Sequence, residues 1–228
     1  MRKLIVIEGL DGSGKATQAS LLASHLQERG FQVRKVSFPD YESNSSALVK
    51  MYLAGEFGTK PSDVNAYAAS SFYAVDRYAS YKKDWAKDYD TGVIIADRYT
   101  TSNAIHQCSK LDPTEWDEYL AWLFHFEYRL LGIPEPSMVI YLRVDPDVSQ
   151  KLLAKRYEGH MEKEDIHERD KEYLARCEKA ASYCAEHLGW KTVQCTKNGE
   201  MRSIEDIQAE IMELIGGVLQ QEALYGTD

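Results

Sequence analysis

The sequence predicts a parallel α/β fold, and three features of it point there. Short apolar runs alternate with longer segments of helical period along the chain. The middle runs, "GVIIAD" at 92–97 and "MVIYLRV" at 138–144, are continuously apolar rather than alternating, as strands covered on both faces must be. The first run, "LIVIE" at 4–8, ends in a glycine-rich turn that leads directly into a helical pattern.

Each element has its own local reason. With "FQVRKVSF" at 31–38 and "WKTVQC" at 190–195, the apolar runs make five strands. After the first, Ala19, Leu22, Ala23 and Leu26 form one helical stripe, and Gly30 is a natural stop. Residues 63–89, 113–131, 147–157, 170–188 and 203–224 also read as helices. Ala74, Tyr78, Tyr81 and Trp85 recur at i, i+4, i+7 and i+11 and read as a packing stripe. No repeat, low-complexity block or linker interrupts the pattern, so a single domain over 1–228 is expected. The exception is "KRYEGHMEKEDIHER" at 155–169, densely charged and without apolar spacing, which is either a flap over a site or a solvated connection.

The 228 residues are enough to bury a sizeable core without staples. A net charge of −9 argues against a broad nucleic-acid-binding face but leaves room for a small cationic pocket. The four cysteines, Cys108, Cys177, Cys184 and Cys195, show no zinc or C-x-x-C spacing and read as reduced thiols of a cytosolic protein. The N-terminal apolar run is too short for a signal peptide or a membrane span. A soluble, cytoplasmic protein with neither nucleic-acid nor membrane partner is expected.

The turn after the first strand carries the chemistry. Gly9-Leu10-Asp11-Gly12-Ser13-Gly14-Lys15 fits G-x-x-x-x-G-K between a strand and a helix. Glycines let successive backbone N–H groups face phosphate oxygens, and the helix N-terminus adds a favourable dipole. Gly9, Gly12, Ser13, Gly14, Lys15, Ala16 and Thr17 are therefore the expected ATP-phosphate cradle, with Lys15 the point charge for the β- and γ-phosphates. Ala16 stands where a hydroxyl usually ligates Mg²⁺, and Thr17 lies about 100° further round the helix. A GTPase or motor that leans on that ligand fits poorly, and no N-K-x-D guanine motif is present. The third strand ends in Asp97-Arg98-Tyr99. A carboxylate there is placed for an Mg²⁺-bound water, and Arg98 beside it for clamping a phosphate.

Together these residues resemble the thymidylate kinases, which pass the γ-phosphoryl of ATP to dTMP. The resemblance runs from Lys3 to about Ile215 and implies a three-layer P-loop kinase fold, a five-stranded parallel sheet flanked by helices, with a short lid. "IEGLDGSGK" matches the family's phosphate loop, where Asp11 would contact the 3′-hydroxyl of dTMP. Phe38-Pro39 matches the F-P after the second strand, with Tyr41 close behind. "YAVDR", residues 73–77, matches the thymine-binding helix, in which Tyr73 would stack on the base and Arg77 would reach its carbonyl. Being four apart, the two side chains share a helix face. "DRYTTSNAIHQ" resembles D-R-Y-x-x-S-x-x-A-Y-Q and adds Ser102, Asn103, His106 and Gln107 as base or sugar contacts. The resemblance further implies a homodimer.

Several positions depart from the family pattern. Asp40-Tyr41 follows Phe38-Pro39 where an arginine for the monophosphate is common, leaving Arg98 as the acceptor-phosphate residue. Tyr73 replaces phenylalanine, and His106 replaces a tyrosine that crowds the ribose 2′ position. Gly12 takes the place of a basic loop residue, so the charge would come from the lid, with Arg156 the best match and Lys155, Lys163 and Arg169 in reserve. The expected catalytic set is thus Lys15, Asp97, Arg98 and Arg156, with Mg²⁺ and ATP as cofactor and donor. A different nucleoside monophosphate or deoxynucleoside kinase, or a catalytically impaired nucleotide-binding protein, are the alternatives.

Overall fold

A computed structural model of the chain describes residues 2–156 and 171–220. Five parallel strands are β1 (Lys3–Glu8), β2 (Val33–Ser37), β3 (Val93–Asp97), β4 (Met138–Arg143) and β5 (Lys191–Gln194), in the order β2-β3-β1-β4-β5. The helices are α1 (Lys15–Glu28), α2 (Ala47–Leu53), α3 (Ala66–Ser80), α4 (Ala86–Thr91), α5 (Thr100–Cys108), α6 (Trp116–Phe124), α7 (Pro146–Arg156), α8 (Lys171–His187) and α9 (Ile204–Gln220). A small antiparallel hairpin, β6 (Thr196–Lys197) and β7 (Glu200–Met201), precedes α9.

Strand periodicity divides the core into two layers. Ile5, Ile7, Val93, Ile95, Ile140 and Leu142 point to the α1 and α9 side, where they meet Leu22, Leu26, Ile207 and Ile211. Their neighbours Leu4, Val6, Ile94 and Ala96 point the other way, onto Trp85, Tyr99, Phe38 and Ile133. Because both faces of the central strands β1, β3 and β4 are covered, these are apolar almost throughout and legible as continuous runs, whereas the edge strands β2 and β5 keep polar, exposed positions. Each such aliphatic side chain contributes about 1.5–3 kcal/mol of burial.

Register brings the functional ends together. Ser37 and Ile7 both lie beside Asp97, and Glu8 lies beside Tyr141. The C-terminal ends of β1, β2 and β3 therefore form one rim at the point where the connections leaving β1 and β3 run to opposite sides of the sheet, the usual ligand crevice of an open α/β sheet.

Two expectations on helices change. The long helix expected over 63–89 begins at Ala66 and passes through a π-helical turn, Tyr81–Trp85, before α4. Its buried face is centred on Ala66, Ala69, Ser70, Arg77 and Ser80. Ala74 and Trp85 are buried and Tyr81 packs on Trp85, but Tyr78 is exposed. Tyr78 falls outside the stripe because it sits about 100° round from Arg77, off the buried face. Helices α2 and α5 have no counterpart among the expected helices: the buried face of α2 amounts to Val49 and Tyr52, too few for a visible period, and α5 is buried nearly all round, so no polar face alternates with an apolar one. The segment expected as a lid lies outside the described residues from 157 to 169, as do Lys163 and Arg169. Lys155 and Arg156 end α7, and their side chains are likewise outside the description. Among the described residues no helix is long and apolar enough to cross a membrane.

Candidate active site

The phosphate loop sits at the rim. Gly12 and Gly14 have φ of +81°, a left-handed conformation that other residues adopt only under strain. A Cβ at Gly9 would come within 2.4 Å of Ser13 Oγ. Gly14 caps α1 without offering a side-chain acceptor, so the first-turn N–H groups are left for an anion. Ser13 is buried behind the loop, whereas Ala16 and Thr17 are exposed on the first turn.

Two cations share one carboxylate beside this loop. Lys15 Nζ donates to Asp11 Oδ1 at 3.2 Å and to the Leu10 carbonyl at 3.4 Å. The Arg98 guanidinium donates to the same Asp11 Oδ1. It also donates to Ser102 Oγ at 3.4 Å and lies 3.4 Å from His106 Nε2 and 3.9 Å from Glu8 Oε1. Burial alone would raise the Asp11 pKa, but the Arg98 and Lys15 charges hold the carboxyl well below the usual carboxylate range. Burial followed by the nearby Arg98 charge pushes the Lys15 ammonium down, against the pull of Asp11. Burial would also lower the Arg98 guanidinium, but Asp11 and Glu8 more than compensate. Arg98 itself has φ of +66°, a rare conformation for a residue with a side chain, of the kind that clusters at functional sites.

Glu8 was not among the residues singled out from the sequence. It is fully buried and accepts hydrogen bonds from the Gly9 N–H at 2.9 Å, Thr101 Oγ1 at 2.6 Å and Ser102 Oγ at 2.9 Å. It thereby ties the start of the phosphate loop to the first turn of α5. A carboxylate closing an otherwise apolar strand was the available signal.

A second polar cluster lies behind the first. Arg77, on α3, donates from Nε to Glu127 Oε2 at 2.7 Å and from Nη2 to Oε1 at 2.6 Å, and its Nη1 faces the Tyr99 carbonyl at 3.4 Å. Thr100 Oγ1 and Asn103 Nδ2 also donate to Glu127, at 2.8 and 3.2 Å. The first turn of α5 thus bridges the clusters, Thr100 reaching Glu127 and Thr101 with Ser102 reaching Glu8. A guanidinium has five N–H groups, so one on each terminal nitrogen of Arg77 is left beyond these contacts. Burial would lower the Arg77 pKa, but the Glu127 charge raises it.

The remaining expected residues flank these clusters. Asp97 is buried at the end of β3, and its Oδ1 has no hydrogen-bond partner among the described residues. Such an orphaned carboxylate oxygen at the rim fits a cation-bound water. Phe38 is buried against Tyr99, Tyr73 is half-buried with its ring edge-on to Tyr52 at 6.4 Å, and Tyr41 is exposed. The Phe38–Pro39 peptide is cis. The chain that follows is pinned by Asp76, which accepts from the Asp40 N–H at 2.8 Å and Ser45 Oγ at 2.6 Å. Gln107 is buried, and neither amide atom has a partner among the described residues.

Comparison with known proteins places the chain in a family. A family model for thymidylate kinase matches residues 7–211. The thymidylate kinase of Mycobacterium tuberculosis is 32% identical over 181 residues, covering 76% of this chain and 81% of that protein. That of Schizosaccharomyces pombe is 26% identical over 222 residues, covering 97% and 95%. Among solved structures, the thymidylate kinase of Candida albicans superposes with a TM-score of 0.68 at 19% identity, covering 94% of this chain and 91% of that one. That likeness speaks for the fold, and the family match speaks for the lineage. The chain belongs to the thymidylate kinase family.

Proposed function

We propose that the protein is a phosphotransferase that passes the γ-phosphoryl group of MgATP to dTMP, yielding dTDP and ADP. The observation that carries this reading is the Asp11–Lys15–Arg98 cluster, in which two partly buried cations at a glycine-loop helix N-terminus share the Asp11 carboxylate. A phosphate arriving there finds both cations already positioned, and positioning with electrostatic stabilisation is most of what phosphoryl transfer needs.

In this reading the backbone of residues 12–17 and Lys15 hold the donor phosphates. Arg98 moves its donors from Asp11 to the acceptor phosphate, and Asp11 is freed to receive the sugar hydroxyl. Asp97, whose Oδ1 has no hydrogen-bond partner among the described residues, would hold Mg²⁺ through a water. When bound, Mg²⁺ neutralises developing charge on the phosphate oxygens. No general base is required, since the attacking group is already a phosphate anion. Tyr73 stacks on the base, the outer N–H groups of Arg77 meet its carbonyl edge, and Ser102, Asn103, His106 and Gln107 line the sugar and base side with Phe38, Pro39 and Tyr41. Arg156, the last residue of α7, supplies the charge expected of the lid. The outward face of α3, with exposed Tyr67, Val75 and Tyr78, is the surface on which a homodimer would form. The cysteines are free and buried, which supports a cytoplasmic setting.

The test is ADP release with MgATP against dTMP, dUMP, dGMP and AMP in parallel. Fast turnover on dTMP, slower on dUMP and near zero on the purines is the expected result. Preference for a purine acceptor would refute the assignment of Tyr73 and Arg77.

A further inference from the structure

His106 connects Arg98 to a helix that the reaction scheme does not otherwise use. Its Nε2 lies 3.4 Å from Arg98 Nη1, and its Nδ1 lies 3.2 Å from Tyr173 Oη and 3.6 Å from Cys177 Sγ, both on α8. The Tyr173 hydroxyl donates to the His106 carbonyl at 3.3 Å, and the two rings stack with centroids 6.1 Å apart. Both side chains are buried.

The proton positions follow from the partners. A guanidinium has donors only, so Nε2 facing Arg98 must be the acceptor and carries no proton. The neutral ring then holds its proton on Nδ1, which points at the Tyr173 oxygen. A phenolic oxygen accepts through its lone pairs while its own hydrogen goes to the His106 carbonyl. The other tautomer would set N–H against N–H at Arg98. Around the ring stand the cations Arg98, Lys15 and Lys110, with Asp11 opposing them; burial first and Arg98 next push the imidazole down to about 3, so the neutral form prevails.

We propose that His106, as its Nδ1–H tautomer, is a positioning residue for Arg98, holding one edge of the guanidinium and anchoring it through Tyr173 to α8. Asp11 and Ser102 hold other donors of the same group. When Asp11 gives way to a phosphate, His106 and Ser102 remain to keep the guanidinium aimed. The proposal rests on the role given above to Arg98.

Three measurements test it. Nitrogen-15 spectra of histidine-labelled wild type at neutral pH report the tautomer directly, and Arg98→Ala should move the His106 Nε2 signal. His106→Leu should weaken dTMP binding, read by calorimetry, by about 10- to 100-fold, the range for losing a hydrogen bond to a charged group. His106→Gln, whose amide oxygen can replace Nε2 as acceptor, should restore most of it. In the Arg98→Ala background His106→Leu should have no further effect on dTMP binding, because the two act as one unit. Full additivity there, or an Nε2–H signal in the wild type, overturns the proposal. If the wild type prefers another acceptor nucleotide, the substrate assignment fails separately and the spectra decide alone: an Nδ1–H ring supports the proposal and an Nε2–H ring refutes it.

Discussion

Arg77 and Glu127, 50 positions apart in the chain, meet in the interior as a two-pronged ion pair, at 2.7 and 2.6 Å, with both side chains essentially inaccessible to solvent. Glu127 lies in a π-helical turn, residues 125–130. Turns of this kind shift the phase of a helix and recur at functional sites. Here the turn aims a carboxylate inward from between Phe126 and Tyr128.

Removing one partner leaves the other buried and uncompensated. Glu127→Ala is expected to cost about 3–5 kcal/mol of stability, read from the midpoint of urea unfolding. Because Thr100 and Asn103 lose an acceptor in the same step, the protein that still folds should also show a raised KM for dTMP. A loss within experimental error would mean that Arg77 finds another anion.

Arg98→Ala should leave ATP binding measurable while turnover on dTMP falls by about 10³-fold or more, the range for losing a transition-state arginine. Wild-type turnover in that variant would remove Arg98 from the reaction.

The neutral His106 makes stability depend on pH in a definite direction. Its pKa, about 3 in the folded protein, lies below that of an unfolded-chain histidine, about 6.5. The unfolded state therefore binds a proton that the folded state refuses. The contribution is fully present above about pH 6.5 and is lost progressively as pH falls towards 3. The difference in unfolding free energy between wild type and His106→Gln should be flat above that point and shrink below it. A difference that stays constant down to pH 4 would contradict the assignment.

Ala16 is exposed on the first turn of α1 and offers no hydroxyl at that position. Ala16→Ser should lower the Mg²⁺ concentration for half-maximal turnover by about fivefold, equivalent to roughly 1 kcal/mol for one added polar contact. A titration unchanged by the substitution would show that the loop does not approach the ion at this position.

The strands and most helices were legible because their signals are local. Continuous apolar runs such as 92–97 state that both faces are covered, and the stripe of Ala19, Leu22, Ala23 and Leu26 states which side of α1 faces the sheet. The phosphate loop was legible for a related reason: Gly12 and Gly14 are demanded by backbone conformation, which any sequence forming that loop must satisfy. Helices α2 and α5 leave no period to read, α2 because its buried face is short and α5 because it is buried nearly all round.

What the sequence determined by itself is the layered sheet, the loop, and the sharing of one face of α3 by Tyr73 and Arg77. The tertiary structure decided which partner each buried polar group would have. Glu8 reaches α5 across 93 positions, Arg77 finds Glu127 across 50, and His106 finds Tyr173 across 67. Periodicity records how a segment meets water and core, a property of near neighbours along the chain. Pairing of buried charges is settled only when crossover helices bring distant turns to the same rim, where the cost of leaving any of them unpaired selects the arrangement.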